Sequence, residues 1–232
     1  MHLLPPLLAA ALLLLPSIGL AAERTGVIDA RGTRIEVPLP DEYVQSSLDM
    51  PEWIELAKTL VPKGATVEDV LVHAECMSDP ETLFCPSSYE IMSLPLRTTE
   101  AEWRELRVQL IEALTGDTRE MQEVALKRAQ DRLKAENNEA EFTRDTSSRV
   151  VLVARDDPRS VRFYFNSPGR VEGNGVVVEQ VRVAAQFAIQ GQVMVLAVSR
   201  EVPEGEATPE VYAAVADELN RFMDRLLALN PR

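Results

Sequence analysis

Histidine is nearly absent from this chain, whose 232 residues include only His2, near the amino terminus, and His73. This scarcity excludes a zinc site of the H-E-x-x-H type and any other site with several imidazole ligands. A Ser-His-Asp triad would have to use His73, and no serine lies in a G-x-S-x-G sequence. The chain also contains neither a phosphate-binding loop nor a dinucleotide-binding glycine fingerprint. We therefore expect no catalytic residue, no metal ligand and no cofactor.

Two pairs of neighbouring residues are weak candidates for a cation site. Glu75 follows His73 by two residues, so the pair could share a metal ion, or Glu75 could orient the imidazole ring. A lone histidine on a half-exposed strand is more often a solvated residue or one at the edge of the core. Asp156 and Asp157 come directly before Pro158, a pattern more typical of a turn than of a cation site.

Arginines are spread through the sequence without forming a motif. We interpret them as members of surface ion pairs rather than of an anion pocket; the set comprises Arg31, Arg34, Arg144, Arg149, Arg155, Arg159, Arg162 and Arg170.

Cysteine is also scarce, since Cys76 and Cys85 are the only two. In an oxidising compartment such a pair is expected to form a disulfide. The alternation of apolar residues around the pair predicts a hairpin with Cys76 opposite Cys85, Val72 opposite Tyr89, and Val70 opposite Ile91. A redox-active pair is the alternative, but such pairs usually have C-x-x-C spacing.

Basic residues are in the minority: 24 lysines and arginines against 37 aspartates and glutamates give a formal net charge of −13. All of these charges lie beyond residue 22. Such a charge opposes binding to nucleic acid or to an anionic lipid surface. It favours solubility, and it would also suit a basic partner.

Long apolar runs are missing except for Leu7–Leu15, which lies between Pro6 and Pro16. Small residues follow this run before the first charged residue, an order typical of a secretory signal cleaved after Ala21 or Ala22. An uncleaved anchor is the alternative, but a membrane-spanning helix needs about 20 apolar residues, and the prolines interrupt this one.

The predicted secretory signal also indicates the domain organisation and the compartment. No cysteine ends the apolar run, so a lipoprotein anchor is excluded. We predict a signal peptide over residues 1–22 and one soluble domain over residues 23–232, in the periplasm or outside the cell, with no stable membrane insertion after cleavage.

Hydrophobic periodicity and turn residues divide the rest of the chain into strands and helices. Helices are predicted over Pro51–Leu60, from the capping box at Thr99 to Gly116, over Thr118–Glu136, and from Thr208 onward. Strands are predicted at Thr33–Val37, Glu68–Met77, Ser87–Leu96, Val150–Ala154, Val161–Phe165, Val176–Ile189 and Gln192–Ser199, with a loop over Asn137–Ser148. The helix over Thr118–Glu136 is heavily charged and has a narrow apolar stripe, so we interpret it as a surface helix, with partner docking as the alternative.

The last two strands and the last helix carry the clearest pattern. A two-residue turn at Gln190 and Gly191 predicts that Phe187 is opposite Met194, Ala185 opposite Leu196 and Val183 opposite Val198, all on one face. The final helix has an apolar stripe that needs such a face, formed by Val211, Val215, Leu219, Phe222, Leu226 and Leu229. The predicted fold class is therefore α+β: an antiparallel sheet covered by helices, with the C-terminal helix packed on the sheet.

Three features of the chain resemble a group of exported bacterial proteins with a PsbP-like architecture. They are the segment Arg34–Tyr43 with its Pro38-Leu39-Pro40 sequence, the segment Gly191–Leu196, and the closing helix with Asn220 and Asn230. The resemblance covers most of residues 23–232 as a pattern of elements. It implies a non-catalytic accessory or binding role and carries over no functional residue.

The sequence leaves three functions open. The first is a non-catalytic domain that binds another envelope protein or a ligand. The second is a small-molecule or lipid binder with an enclosed apolar pocket between sheet and helices. The third is a hydrolase that uses only carboxylates, which would need two acids converging in a cleft with separated pKa values.

The disulfide can be tested directly. Closing so short a loop is expected to stabilise the fold by roughly 2.5–3 kcal/mol, less any strain. Replacing both Cys76 and Cys85 by alanine should lower the melting temperature without changing binding by the folded protein. Thiol titration of denatured, periplasmically expressed protein should find no free thiol, and two free thiols would refute the bond.

Overall fold

The computed structural model describes residues 24–49, 54, 64–78, 86–135, 141–153, 157–173 and 176–231. The predicted signal peptide and Cys85 lie outside these residues, as does the predicted helix Pro51–Leu60 apart from Ile54. None of the helices in the described ranges is long and apolar enough to cross a membrane.

These residues form eleven strands and five helices. The strands are β1 (Thr25–Ala30), β2 (Thr33–Pro38), β3 (Tyr43–Gln45), β4 (Thr66–His73), β5 (Ser88–Arg97), β6 (Glu141–Arg144), β7 (Val150–Val153), β8 (Ser160–Phe165), β9 (Gly169–Gly173), β10 (Val176–Ile189) and β11 (Gln192–Pro203). The helices are α1 (Ser46–Asp49), α2 (Ala74–Ser78), α3 (Glu100–Thr115), α4 (Arg119–Ala135) and α5 (Pro209–Leu229).

The β10–β11 hairpin forms the centre of the main sheet. Across that sheet the order is β3-β4-β5-β11-β10-β8-β7, with β9 on the other half of β10 and β6 paired to β9. Every pairing is antiparallel. Gln190 and Gly191 both have positive φ, at 48° and 79°, as a two-residue hairpin turn requires. The predicted register is confirmed at all three pairs, and so is the α+β fold class.

The C-terminal helix α5 covers one face of this hairpin, as predicted. Leu219, Phe222 and Leu226 are at most 3% exposed and join one core cluster with Phe187 and the neighbouring strands. The buried stripe also includes Tyr212, Ala216 and Met223, while the ends of the predicted stripe, Val211 and Leu229, are only half-buried. The helix is therefore part of the core rather than an appendage.

Two asparagines hold α5 against the rest of the fold. Asn230, at its end, accepts from the Glu36 amide at 3.0 Å and donates to the Glu36 carbonyl at 2.7 Å. Asn220 accepts from Arg162 of β8 at 2.6 Å. Both residues of the closing helix that carry the PsbP-like resemblance thus dock that helix.

The structure has a strand, β1, before the first strand that the sequence predicts. β1 pairs with β2 across a turn at Arg31 and Gly32, which both have positive φ. Gly26 in β1 lies against the side chain of Gln45, and a Cβ there would be 2.1 Å from the Gln45 oxygen. Any larger residue there would require the end of the Gln45 side chain to move away from β1.

The predicted register of β4 and β5 is wrong. Tyr89 is opposite Leu71 rather than Val72, and Ile91 is opposite Asp69 rather than Val70. β4 ends at His73 and the helix α2 follows, so the strand does not continue to Cys76 as the predicted register requires. A bulge between Val67 and Asp69 displaces the earlier pairs, such as Val67 with Met92, by one further residue.

Cys76 also differs from its predicted place, since it belongs to the short helix α2 and not to β4. Its predicted partner, Cys85, lies outside the described residues, so the disulfide stays a prediction.

The predicted loop over Asn137–Ser148 contains a strand instead. β6 pairs with β9, another strand that was not predicted. Both strands are short and polar, so the alternation of apolar residues does not reveal them.

The helix α3 begins as predicted at the capping box of Thr99 and Glu102. Trp103 packs into the core and donates its Nε1–H to the Pro158 carbonyl at 3.2 Å. The helix ends at Gly116, whose amide donates to Glu112 at 3.0 Å.

The charged helix α4 follows and is fixed at its start. Its Gln122 donates to the Ser148 carbonyl and accepts from the Ser148 hydroxyl, both at 3.0 Å, so α4 is tied to the turn after β6.

Replacing Phe222 by alanine should destabilise the fold strongly. Phe222 is 3% exposed and stacks on the Tyr89 ring at 4.7 Å, so truncation leaves a cavity between α5 and the sheet. We expect the free energy of unfolding, measured by urea denaturation, to fall by about 3–5 kcal/mol. Leu48→Ala is the control: this side chain is 74% exposed, and its loss should change stability by no more than about 0.5 kcal/mol. Equal effects of the two substitutions would contradict the packing of α5.

Candidate functional site

His73 lies between two glutamates at the end of β4. Its Nε2 is 3.0 Å from the Glu42 carboxylate, and its Nδ1 is 3.9 Å from the Glu75 carboxylate. The Tyr43 ring packs edge-on against the imidazole at 5.4 Å. No group of three or more His, Cys, Asp or Glu side chains within the described ranges is arranged to hold a metal ion. The Glu42 carboxylate and the Tyr43 ring orient the imidazole, whereas Nδ1 accepts from the Glu75 amide at 3.4 Å and the Glu75 carboxylate lies beyond hydrogen-bond distance of the ring.

Asp157 forms a cluster of charged groups in the turn between β7 and β8. It accepts from Arg159 at 2.9 Å and from Arg162 at 2.7 Å, and Arg159 also reaches Asp224 of α5 at 3.3 Å. Arg162 is only 4% exposed and donates to Ser160 and Asn220 as well. Asp156, the other half of the predicted pair, lies outside the described residues. Asp157 therefore serves the turn and an ion-pair network.

The electrostatics of this cluster oppose a role in acid catalysis. Burial by itself would raise the pKa of Asp157, but hydrogen bonds from Arg159 and the charges of Arg159 and Arg162 outweigh it and lower the pKa. A general acid in a hydrolase needs a raised pKa. Asp157 thus has the opposite shift, and it forms an ion-pair network with Arg159, Arg162 and Asp224.

Asp69 is a buried carboxylate that the sequence interpretation missed. It is fully buried in β4 and accepts from the Gln45 side chain at 2.6 Å, from the Ser47 hydroxyl at 2.9 Å, and from the Ser47 amide at 3.1 Å. A buried charge is tolerated when hydrogen bonds satisfy it. These contacts connect β3, α1 and β4, so we interpret the group as structural.

The tyrosines beside His73 are structural too. Tyr43 donates to the Ser87 carbonyl at 2.6 Å, and its ring packs edge-on against Tyr89 at 5.3 Å. Burial, with the nearby Tyr89 and Glu218, raises the pKa of Tyr43. Burial and the charge of Glu218 raise the pKa of Tyr89 to about 12. Neither phenol ionises near neutral pH, so neither provides a nucleophilic phenolate.

The arginines of the predicted set differ in their contacts, and Arg155 lies outside the described residues. Arg170 forms an ion pair with Glu204 at 2.7 Å, as the surface interpretation expects, whereas Arg31 donates to the hydroxyls of Ser93 and Thr66. The interpretation is wrong for Arg162, whose ion pair is buried. It is also wrong for Arg144, which stacks on the Phe165 ring and has no ion pair with any residue that the structure describes.

Two cavities bear on the choice between a protein partner and a small ligand. A cavity of about 10 Å³ between α3 and the β7–β8 hairpin has room for one water molecule at most. An open groove of about 530 Å³ lies between α4 and β6. Its lining residues are Glu123, Leu126, Lys127, Gln130, Lys134, Glu141 and Thr143. Neither is the enclosed apolar pocket that a lipid or small-molecule binder needs.

No protein-family model and no curated protein sequence matches this chain. Among solved structures it is similar to a point mutant of the protein Mog1, at 13% identity over 87% of this chain and 94% of that chain, with a TM-score of 0.38. It is also similar to the Ran-binding protein Mog1p of Saccharomyces cerevisiae, at 13% identity over 90% of this chain and 100% of that chain, with a TM-score of 0.36.

A third similar structure is LpqN of Mycobacterium tuberculosis, which is involved in cell envelope biogenesis. It is 12% identical over 91% of this chain and 90% of that chain, with a TM-score of 0.28. Identities and TM-scores this low assign neither a family nor a function to the chain. The PsbP-like resemblance stays a prediction.

The charge network at Asp157 predicts a pH-dependent loss of stability. Because its folded pKa is lowered from the ordinary value of 3.8, ionised Asp157 stabilises the fold above that value, and this contribution is lost as the pH falls further. Asp157→Asn should therefore lower the free energy of unfolding by about 3–5 kcal/mol at pH 7, since Arg162 is left buried without its carboxylate. The difference from the unsubstituted protein should shrink below about pH 4. A difference that does not change with pH would show that the charge of Asp157 is not the cause.

Proposed function

We propose that this chain is an exported, non-catalytic domain that binds another envelope protein in the groove between α4 and β6. The apolar leader and the small residues before Glu23 support export. The observation that carries the proposal is the groove itself, which is open and lined by side chains from both elements.

The groove suits a protein segment better than a small ligand. Small-molecule sites bury most of the ligand surface in a concave and mainly apolar cavity. Among the lining residues whose side chains the structure describes, Leu126 is the apolar one and the others are charged or polar, and the groove is open to solvent. Mixed polar and apolar surfaces of this kind are usual where two proteins bind without forming an obligate complex.

The spacing of the lysines indicates what the partner offers. Lys127 and Lys134 both line the groove and are seven residues apart, so they share one face of α4 about 10 Å apart along its axis. In an extended polyproline II segment, residues three apart lie on the same side and are about 9 Å apart. We therefore propose an extended partner segment with acidic side chains at that spacing. Glu123 and Glu141 line the groove as well, so its charge is mixed, and the two lysines are the positions at which acidic groups of a partner could bind.

Charge reversal in the groove tests the proposal. Lys127→Glu together with Lys134→Glu should weaken binding of the native partner at least about tenfold, because like charges would then face each other. The partner is first identified by native mass spectrometry of the complex purified from envelope extract, and its affinity is then measured by calorimetry with both proteins purified.

The matched control is Arg128→Glu. This exposed residue neighbours Lys127 on α4 but does not line the groove. It should leave the affinity within about twofold, since consecutive residues of a helix lie on different sides of it and an exposed charge outside the contact contributes little. Equal affinity for the groove variant and the unsubstituted protein would refute the groove as the binding surface.

A further inference from the structure

The main sheet divides beside Arg144. β10 pairs with β9 up to Gln180 and with β8 from Val183 onward, so Val181 and Arg182 have no strand beside them on that edge among the described residues. We call this place the sheet split. Arg144, the last residue of β6, is opposite Gly169 at the start of β9. Its guanidinium carbon lies 5.3 Å from the centre of the Phe165 ring, at the end of β8.

The Arg144 guanidinium has a ring beneath it but no acceptor. Its Nε is buried without a hydrogen-bond partner, and no ion pair or hydrogen bond links the side chain to any residue that the structure describes. A buried donor without an acceptor costs about 1–3 kcal/mol, and more when it is charged. Arg162 shows the contrast, since it is buried with Asp157, Asn220 and Ser160 as acceptors.

Two hydroxyls near the sheet split also lack partners. Tyr212 is 5% exposed and stacks on Tyr164 at 4.8 Å, which places it beside the end of β8. Ser167 belongs to the turn between Phe165 and Gly169. The Tyr212 oxygen and the Ser167 oxygen are both buried without a hydrogen bond.

Charged groups of both signs surround the sheet split, and Arg144 among them has no ion pair with a described residue. Burial and then the charge of Arg182 lower the pKa of Arg144, which shows that the two arginines are close. Arg182 is balanced by an ion pair with Glu90, whereas Arg144 has no such partner. Glu179 is the acid near Tyr212, but its carboxylate accepts from the Ala207 amide at 3.2 Å.

We propose that the sheet split binds a single oxyanion, a phosphate or a carboxylate group, through Arg144, Tyr212 and Ser167. An oxyanion offers only acceptors, and each of these three groups has a donor to give. The planar guanidinium suits both kinds of oxyanion, and the Phe165 ring holds it in place. The site goes beyond the proposed partner groove and does not require it.

The two anions can be tested separately on the purified protein. Its melting temperature is measured in a buffer without phosphate or carboxylate, during titration with inorganic phosphate and, in a second series, with acetate. Potassium chloride at equal ionic strength is the reference. We expect a saturable rise with phosphate, with acetate, or with both, because a ligand that binds only the folded state stabilises it. Which series saturates identifies the class of oxyanion. No saturable rise above the chloride reference in either series would overturn the proposal.

Arg144→Met tests the residue assignment. Without the anion this variant should be at least as stable as the unsubstituted protein, because it removes a buried charge without a partner. With saturating anion the order should reverse, and the variant should bind at least about tenfold more weakly. The matched control is Arg149→Met, an exposed arginine in the turn after β6, which should bind within about twofold.

Tyr212→Phe removes only the hydroxyl, and it tests the same site if Arg144→Met fails to fold. It should weaken anion binding several-fold while leaving the ring stacking in place. Anion binding unchanged in Tyr212→Phe, or equal in Arg144→Met and Arg149→Met, would show that the anion binds elsewhere. Because no partner protein is present in any of these measurements, their failure would leave the proposed groove untouched.

Discussion

The burial of α5 on the β10–β11 hairpin is the interaction on which the rest of the molecule depends. Phe187, Leu196 and Leu219 are completely buried where helix and hairpin meet. Burying each such side chain stabilises a fold by about 1.5–3 kcal/mol. All other strands of the main sheet add to one or the other edge of this hairpin. β10 is long enough, at 14 residues, to pair with two strands in turn, and this produces the sheet split.

The buried charged groups of the described chain mostly have structural roles. Asp69 and Arg162 are both surrounded by hydrogen-bond partners, and these partners join separate elements of the fold. Such networks lower the energy of a buried charge only when every donor and acceptor is satisfied. Arg144 differs, since this half-buried residue has a completely buried Nε and no hydrogen-bond partner among the described residues. That difference, rather than its charge alone, distinguishes it from the other arginines.

The groove and the sheet split lie on the same short strand. Thr143 of β6 lines the groove, while Arg144, the next residue, stacks on Phe165 at the split. Successive side chains of a strand point to opposite faces, so a strand of four residues can serve two surfaces. The strand is also tied to the start of α4 through the turn that follows it, because Gln122 bonds to Ser148. A movement of α4 would therefore also move the turn that follows Arg144.

Local pattern alone determined the centre of the fold. The turn at Gln190 and Gly191 sets the hairpin register without help from other elements, and the stripe of α5 needs the apolar face that this register creates. The capping box at Thr99 likewise acts within one turn of helix. Long-range contacts decided what the pattern could not show. The helix α2 ends β4 before Cys76, the bulge in β4 displaces its earlier pairs by a further residue, and β6 becomes a strand only because β9 lies beside it.

The candidate sites follow the same division. Residue types in the sequence were enough to exclude multi-histidine metal sites and nucleotide-binding loops, because such sites need particular residues at particular spacings. Residue types could not show that Arg162 and Arg144 differ in their partners. The charge of Arg162 is balanced by Asp157, whereas the Nε of Arg144 has no acceptor among the described residues. Both are single arginines in polar surroundings, and whether each meets a carboxylate depends on residues far away in the chain. Burial and partnership are properties of the tertiary structure, so only the folded molecule could show them.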